Sequence, residues 1–569
     1  MISASPEKVG SRLQTAIWIV FGIVAAYGLW RVIATAWVCD DAFISFRYAK
    51  NLVAGHGLVF NVGETVEGYT NFLWVMLMAA GLWLGADPVR LSQVLGILCF
   101  AATVTILAYV SRRLWRSTDL PVIVLPVAAA AVLLQRDFHV YATSGMETSL
   151  ATFLVILGYA LLVFSGRPLS GLTAGLVLVA GGMTRPDALI FYVMGLGFIL
   201  VADQSRWRRA AFYLLPAIVI YLPYWLWRYD YYGYPFPNTY YAKSAYLSYW
   251  PQGWLYIWLY LRSYYILWLV PVVGALAGYV CLRRLWKQRS IPDIVLRAML
   301  LSVLFIVPFV LYVARVGGDF MFARFLIPIT PLAFILLEAG ICRFVPHTAL
   351  RVALGAIIVA AILLRWDPFT EPTVGVEGIV DESAFYPTEM IEKARTDGAN
   401  LKRCFEGLDV TVGFTGTRAM LMYYAECPVA IECAAGLTDE QIAHQEVEQR
   451  GRPGHEKHAT DAYLRQRGVS FIFLATRSTF STYDSLRQIT FAGIPATIFT
   501  WNESVMNHLR KVRDVEFVDF PVYLDRYLEK IESVPVARRQ ADFNFFRLFY
   551  FNGNEDMDRL TRFVAKLQP

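Results

Sequence analysis

Charged side chains are scarce in this sequence: of 569 residues, 51 are Lys or Arg and 45 are Asp or Glu, together 17% of the chain. Soluble domains carry about a quarter charged residues. Here hydrophobic residues reach 57% and aromatics 15%, so a water-soluble globule is excluded. The formal net charge of +6 is small for the length, and the cations sit in short groups between apolar runs, which argues against a nucleic-acid surface. Histidine is rarer still, with seven in the chain, and none of the seven cysteines stands at metal-ligand spacing to one. A structural zinc site is therefore not expected. No small-residue cleavage site follows the first apolar run, which reads as an uncleaved first helix. No lipid-anchor motif, internal repeat or low-complexity tract is evident.

What the chain does have is a succession of apolar runs. At about 20 residues per span, the sequence predicts about eleven helices, near 15–37, 89–110, 119–135, 147–164, 169–184, 187–202, 210–227, 264–282, 293–314, 325–342 and 350–364. With that count the basic clusters "SRRLWR" (111–116), "SGR" (165–167), "SRWRR" (205–209), "CLRRLWKQR" (281–289) and "CRFVPHTALR" (342–351) share one side. The positive-inside rule makes that side cytoplasmic, along with the N-terminus. The stretch "YTNFLWVMLMAAGLWLG" (69–85) would break this pattern as a span. It is expected to lie in the outer interface, with Trp74 and Trp83 at headgroup level.

Past Asp367 hydrophobicity falls, so residues 1–366 read as a membrane domain and 367–569 as a soluble extracytoplasmic α+β domain. In the latter "DVTVGFTG" and "VSFIFLAT" are expected strands, and "TDEQIAHQEVEQR" and "TDAYLRQR" helices with Thr N-caps. A disulfide among Cys404, Cys427 and Cys433 is permitted there. "DFNFFRLFYFNG" (542–553) either docks on the membrane domain or forms a core strand.

The outer segments collect the polar chemistry. "CDDAFISFRYAK" puts two adjacent carboxylates, Asp40 and Asp41, where a membrane helix meets water, a costly place unless the charge is solvated or paired. One reading is helix capping. The other is catalysis, because the same face carries Arg47, Arg185, Arg228, Lys243, Arg315 and Arg324, cations suited to a lipid-borne phosphate. "YDYYGYPFPNTYYAK" adds tyrosines suited to sugar rings. The segment from Asp40 has helical spacing and is expected to rest on the membrane with its first residues over a cavity. Asp319 in "RVGGDFMFARF" is a second acid at an outer helix end, and Glu147 in "SGMETS" a third. "TRPD" sets Arg185 and Asp187 around a helix break, and "GRPGHEKH" is expected to be a solvated loop.

Together "DDAFISFRYAKNLVAGHGLVFNVGETVEGYTNFLW", "YATSGMETSL", "TRPDALIF", "GYPFPNTYYAKS" and "VGGDFMFARFLIP" resemble the GT-C superfamily of membrane glycosyltransferases, in the branch that contains the mycobacterial terminal arabinofuranosyltransferase. The resemblance covers roughly residues 15–364. It implies a GT-C-like polytopic helical domain at the plasma (inner) membrane, moving a sugar, arabinofuranose in that branch, from a polyprenyl-phosphate donor to a cell-envelope glycan or glycoconjugate. Asp40 becomes the expected catalytic base, with Asp41 its partner or substitute. Arg47, Tyr48, Arg185, Asn238, Tyr240, Lys243, Asp319 and Arg324 are the expected donor and phosphate contacts, and Glu147 and His455 the acceptor contacts. No metal ligand is assigned and no cofactor is required, although the acids are compatible with a divalent cation. Expected partners are the donor lipid, a glycan acceptor and membrane lipids, with no nucleic acid. A lipid-linked sugar transporter or flippase is the alternative, but that would call for ionisable residues at helix centres.

Overall fold

A computed structural model of the chain describes residues 6–117, 123–288, 290–371, 373–474 and 483–567. It is mostly helical in its first two-thirds, with a helix at each position where the apolar runs predict one. Arg12–Ala34, Pro88–Arg116, Arg206–Tyr232, Tyr265–Gln288 and Ile294–Val316 are long and apolar enough to cross a membrane. Thr148–Phe164, Pro168–Thr184, Pro186–Ala202 and Thr348–Ile362 are apolar but shorter, as is Thr330–Phe344. By length and composition, then, fewer helices among the described residues qualify as spans than the count above expects, in what is still a multi-pass membrane protein. Of the expected helix 119–135, residues 118–122 lie outside the described residues, and the helix itself runs Val127–Leu134. The Arg206–Tyr232 helix contains a π-helical turn at Ala217–Tyr221, directly after Pro216.

Four helices at the start of the chain position the site: α1 (Pro6–Ala34), α2 (Asp40–Val53), α3 (Phe72–Trp83) and α4 (Pro88–Arg116). At 1.5 Å per residue α3 is about 18 Å long, too short to span. Trp83 stands exposed at its end as expected, but Trp74 is buried within the protein and donates from Nε1 to Gly145 O at 3.0 Å. Nor does α2 rest on a membrane surface. Its residues Asp40 and Ala42–Ala49 are all buried, because α2 packs between α3 and the C-terminal region.

That region is α+β, as expected. Its six strands are β1 (Thr411–Phe414), β2 (Val429–Glu432), β3 (Val469–Phe473), β4 (Gln488–Phe491), β5 (Ile494–Ile498) and β6 (Val515–Phe517). They form one sheet in the order β2-β1-β3-β5-β4-β6. The β2, β1 and β3 strands are parallel and the rest antiparallel. β4 and β5 are joined through Ala492 and Gly493, both at positive φ (47° and 85°), the twist-matched two-residue hairpin turn.

Several expectations for this region change. Thr460 caps a short helix, Asp461–Gln466, but Asp439 rather than Thr438 caps Glu440–Ala443. The aromatic stretch from Asp542 belongs to the helix Val536–Phe549 and is not a strand. All seven cysteines are free thiols, so the permitted disulfide is not formed.

The two regions are fastened along α2. Both Asp40 carboxylate oxygens accept main-chain N–H groups, from Ala419 at 2.9 Å and Met420 at 2.8 Å, at the start of the helix Ala419–Ala425. Seven residues on, Arg47 donates to Met422 O (3.3 Å) and Cys427 O (2.7 Å) at the other end of that helix. Its remaining donors go to Phe60 O and Asn61 Oδ1. An acid at the N-terminal end and an arginine at the C-terminal end match the dipole of the helix between them. Asn61 then pairs with both main-chain groups of Ala430, accepting at 2.9 Å and donating at 3.2 Å. It thereby stands in for a neighbouring strand along β2, the sheet's edge. Replacing Arg47 by Met would leave several buried carbonyl groups unpaired, at about 1–3 kcal/mol each. The variant is expected to unfold at lower temperature and to show faster amide exchange across 419–430, and unchanged exchange there would contradict this fastening.

Candidate functional site

Asp41 and Asp40 are adjacent in sequence but on different sides of the first turn of α2, so they face different surroundings. Asp40 is buried and turned to the C-terminal region. Asp41 is half-buried and lines a hollow of about 70 Å³, with Ser45, Thr70, Asn71, Glu147, Thr239, Lys243 and Arg324 among its walls. A second cavity of about 210 Å³ shares Thr70, Glu147, Thr239, Lys243 and Arg324 with it and adds Arg185, Asp187, Tyr240, Tyr312 and Asp319.

Local backbone rules explain how these side chains arrive. Pro186 forces Arg185 into an extended conformation (φ −150°, ψ 123°), ending the helix Pro168–Thr184 and swinging Arg185 out of it. Gly317 and Gly318 close the helix Ile294–Val316 at φ 93° and 71°. A Cβ at Gly318 would fall 2.6 Å from the Tyr256 ring, so the chain turns into Asp319 by a path only glycine permits.

The cavity wall is an alternating chain of charge. Asp187 pairs with Arg185 at 2.6 Å, Arg185 with Glu147 at 3.4 Å, Glu147 with Arg324 at 3.3 Å, and Arg324 with Asp319 at 3.3 Å. Asn71 also donates to Glu147, at 2.9 Å. Burial opposes ionisation of Glu147, but Arg324 and then Arg185 overcome it and hold its carboxyl below the usual range. The contacts of 3.3–3.4 Å are long for charge-assisted hydrogen bonds, which run about 2.7–2.9 Å. Arg324 Nε is buried with no hydrogen-bond partner among the described residues. Lys243 lines both cavities and makes no ion pair among the described residues.

The expected site residues therefore divide. Asp41, Arg185, Tyr240, Lys243, Asp319, Arg324 and Glu147 come together. Asp40, Arg47, Tyr48 and Asn238 do not line these cavities, because each is spent on main-chain groups. Tyr48 donates to Val66 O at 2.6 Å and accepts from Gly68 N at 2.7 Å. Asn238 Nδ2 donates to the carbonyls of Gly436, Leu437 and Asp439. Glu147, expected to hold an acceptor, organises the two arginines. His455 packs edge-on against Phe320, with ring centroids 4.9 Å apart, while its neighbours Pro453 and Gly454 line the larger cavity.

Two residues lining the site and one buried acid near it had no distinguishing signal in the sequence. Thr70 and Asn71 look like a helix start, and Glu382 lies in an unremarkable loop. Glu382 is buried and accepts from the Tyr386 hydroxyl at 3.0 Å. Burial, followed by the charge of Asp41, pushes its carboxyl up to about 7. Burial likewise raises Asp40 to about 7, against the two amides that pull it down. Among the described residues no three or more His, Cys, Asp or Glu side chains are grouped to hold a metal ion.

No family model matches the chain. Over 359 residues it is 31% identical to the terminal beta-(1->2)-arabinofuranosyltransferase of Mycobacterium tuberculosis, covering 58% of this chain and 56% of that protein. It is also 31% identical over 359 residues to the protein of the same name from Corynebacterium glutamicum, covering 56% of this chain and 49% of the relative. The chain is similar to terminal arabinofuranosyltransferases. It spans about half the length of the curated relatives it matches. The motif-based resemblance and the sequence comparison thus point to the same branch. A structure of ArnT from Cupriavidus metallidurans bound to undecaprenyl phosphate aligns with 74% of this chain and 87% of that one, at 13% identity and a TM-score of 0.44.

The raised acids give this site a pH signature. A carboxyl whose pKa is higher in the folded than in the unfolded protein binds an extra proton when folded, so stability is full below the unfolded value and declines as pH rises through the folded one. For Glu382 that window runs from 4.5 to about 7. The melting temperature of the protein should therefore fall from about pH 5 to about pH 7.5, and more shallowly in Glu382→Gln. An identical slope in the two proteins would contradict the burial of this acid.

Proposed function

We propose that the protein is a membrane glycosyltransferase that moves a sugar from a polyprenyl-phosphate donor to a glycan at the outer face of the plasma membrane, with Asp41 as the base. The observation that carries this reading is the cavity itself: Asp41, a carboxylate with no ion pair among the described residues, shares a hollow with Lys243 and Arg324. Asp41 takes the proton of the acceptor hydroxyl as its oxygen bonds to the anomeric carbon of the sugar. The bond from that carbon to the phosphate oxygen breaks, and the polyprenyl phosphate departs with its electron pair. The charge that grows on it is met by Lys243 and by Arg324, whose Nε is unspent and whose carboxylate contacts are long enough to exchange for phosphate. Arg185 and Glu147 keep Arg324 aimed. Tyr240, stacked on Phe236 with centroids 4.5 Å apart, offers a ring face to the sugar. The proposal includes no metal.

A lipid-linked donor also needs room for its tail. A groove of about 510 Å³ runs along Trp254, Ile257, Leu261, Val303, Val307, Val310, Leu326 and Ile329. Its few polar groups are engaged, since the Tyr260 hydroxyl bonds Thr330 and Gln135. On the helix Ile294–Val316 the groove stops at Leu311 and the charged cavity starts at Tyr312, and on the next segment the change falls between Phe325 and Leu326. An apolar tail and a charged head thus have adjoining places. Similarity to arabinofuranosyltransferases makes arabinofuranose the proposed sugar.

Asp41→Asn should lower turnover about 10²–10⁴-fold, the usual contribution of a general base, while binding of polyprenyl phosphate is retained. Asp40→Asn should lose stability in proportion to its lost activity. Full turnover in Asp41→Asn would overturn the assignment. Wild-type protein that moves lipid-linked sugar between leaflets without transferring it would favour the transporter reading instead.

A further inference from the structure

The loop 450–457 of the C-terminal region, expected to be solvated, buries Pro453, Gly454 and Lys457. It lies against the part of the cavity wall that carries Lys243. Arg450, Pro453 and Gly454 line the larger cavity together with that lysine, and a Cβ built on Gly454 would stand 3.6 Å from Lys243 Cε. The lysine stem therefore runs along a residue without a side chain, at φ 77°, a conformation that suits glycine and strains other residues.

The same loop holds the main chain on both sides of Lys243. Before the lysine, the buried Lys457 ammonium donates to Tyr241 O at 2.9 Å and, within its own region, to Ala443 O at 2.5 Å. Both carbonyls belong to the last turns of short helices, Asn238–Ala242 and Glu440–Ala443, where C=O groups have no partner inside the helix. After the lysine, Arg450 Nη1 donates to Ser244 O at 3.3 Å and Leu247 O at 3.2 Å. Glu456 fixes Arg450 in turn, accepting from its Nε at 2.6 Å and from the Gly451 amide at 3.0 Å. Ser244 stands at φ 47°, a left-handed conformation that a residue other than glycine keeps only when its surroundings over-determine it. On its far side the loop meets Phe320, next to Asp319, with the Arg452 guanidinium 5.1 Å from the ring centroid.

An ammonium on a flexible four-carbon stem has no planar fork to orient it, and Lys243 has no ion pair among the described residues. Its place at the cavity is therefore set by its main chain and by what its stem packs on. We infer that Lys457 and Arg450 are positioning residues for Lys243: the loop 450–457 pins the bend that carries this lysine, so the C-terminal region sets the affinity of the cavity for a lipid phosphate. This rests on the reading of Lys243 as a phosphate contact, proposed above.

The test measures binding of undecaprenyl phosphate to the full-length protein in nanodiscs. Lys243→Met and Lys457→Met are each expected to weaken binding about tenfold, the equivalent of about 1.4 kcal/mol. Because Lys457 acts through Lys243, the double variant should bind no more weakly than Lys243→Met alone. A double variant weakened about a hundredfold, as independent contributions would give, or wild-type binding in Lys457→Met, would overturn the assignment. If the wild type does not bind the lipid, or Lys243→Met binds it equally well, the reading of Lys243 as a phosphate contact fails separately, and acylation by a water-soluble N-hydroxysuccinimide ester still decides the positioning. Faster acylation of Lys243 in Lys457→Met, relative to the exposed Lys393, supports it, and an unchanged ratio overturns it. Should Lys457→Met fail to fold, Gly454→Ala, which strains the loop where it meets Lys243, takes its place in both measurements with the same outcomes.

Discussion

The structure depends on one buried carboxylate meeting two main-chain amides. Asp40 is 4% exposed, and such a charge in a protein interior is tolerated only when its oxygens are occupied. The amides of Ala419 and Met420 occupy them, and those amides are themselves among the unpaired donors at a helix start. Each side therefore needs the other. With Arg47 at the far end of the same helix, the contact fixes both the rotation and the height of α2. Rotation is what matters for chemistry, because adjacent residues on a helix point about 100° apart. With Asp40 held by the C-terminal region, Asp41 is turned to the cavity. The C-terminal region thus aims the acid proposed as the base.

A second constraint is electrostatic. The cavity puts Asp187, Glu147 and Asp319 against Arg185 and Arg324 at the ends of helices that are otherwise apolar, where an isolated ion would be expensive. Alternation of sign is how the protein keeps both arginines there. Under the proposed function, an incoming phosphate would exchange partners with a site already charged, and would not have to order loose side chains first. Lys243, outside the alternation, offsets the third acid of the wall. The change from this cavity to the apolar groove takes place within single residues, Leu311 to Tyr312 and Phe325 to Leu326, where the proposed donor would pass from head to tail.

Much of this was legible in the sequence, for identifiable reasons. Apolar runs have an unambiguous solvent preference, so the helices fell where expected. "TRPD" and "VGGD" carry backbone constraints that do not depend on context, and both bring their side chains to the cavity. What misled was the reading of polar residues as solvent-facing or ligand-facing. Asp40, Arg47, Tyr48 and Asn238 are as polar as Asp41 and Lys243, but their partners are main-chain groups up to several hundred residues away, which no local pattern encodes. Trp74 misled for the same reason, as the amphipathic logic of an interfacial helix assumes that nothing else covers it. Helix lengths were blurred at Pro and Gly boundaries, where a hydropathy window runs past the turn. Glu382 was illegible because a lone acid in a loop gains meaning only from the burial and the neighbouring charge that the fold gives it.

The central claim, that α2 is held so that Asp40 faces the C-terminal region and Asp41 the cavity, can be tested by thiol accessibility, since the native cysteines are buried or partly buried. Cysteine placed at position 41 should react with a charged, membrane-impermeant methanethiosulfonate and be protected by added polyprenyl phosphate, while cysteine at position 40 in an otherwise folded protein should stay unreactive. Equal labelling at the two positions, or protection at 40 and not at 41, would contradict the account.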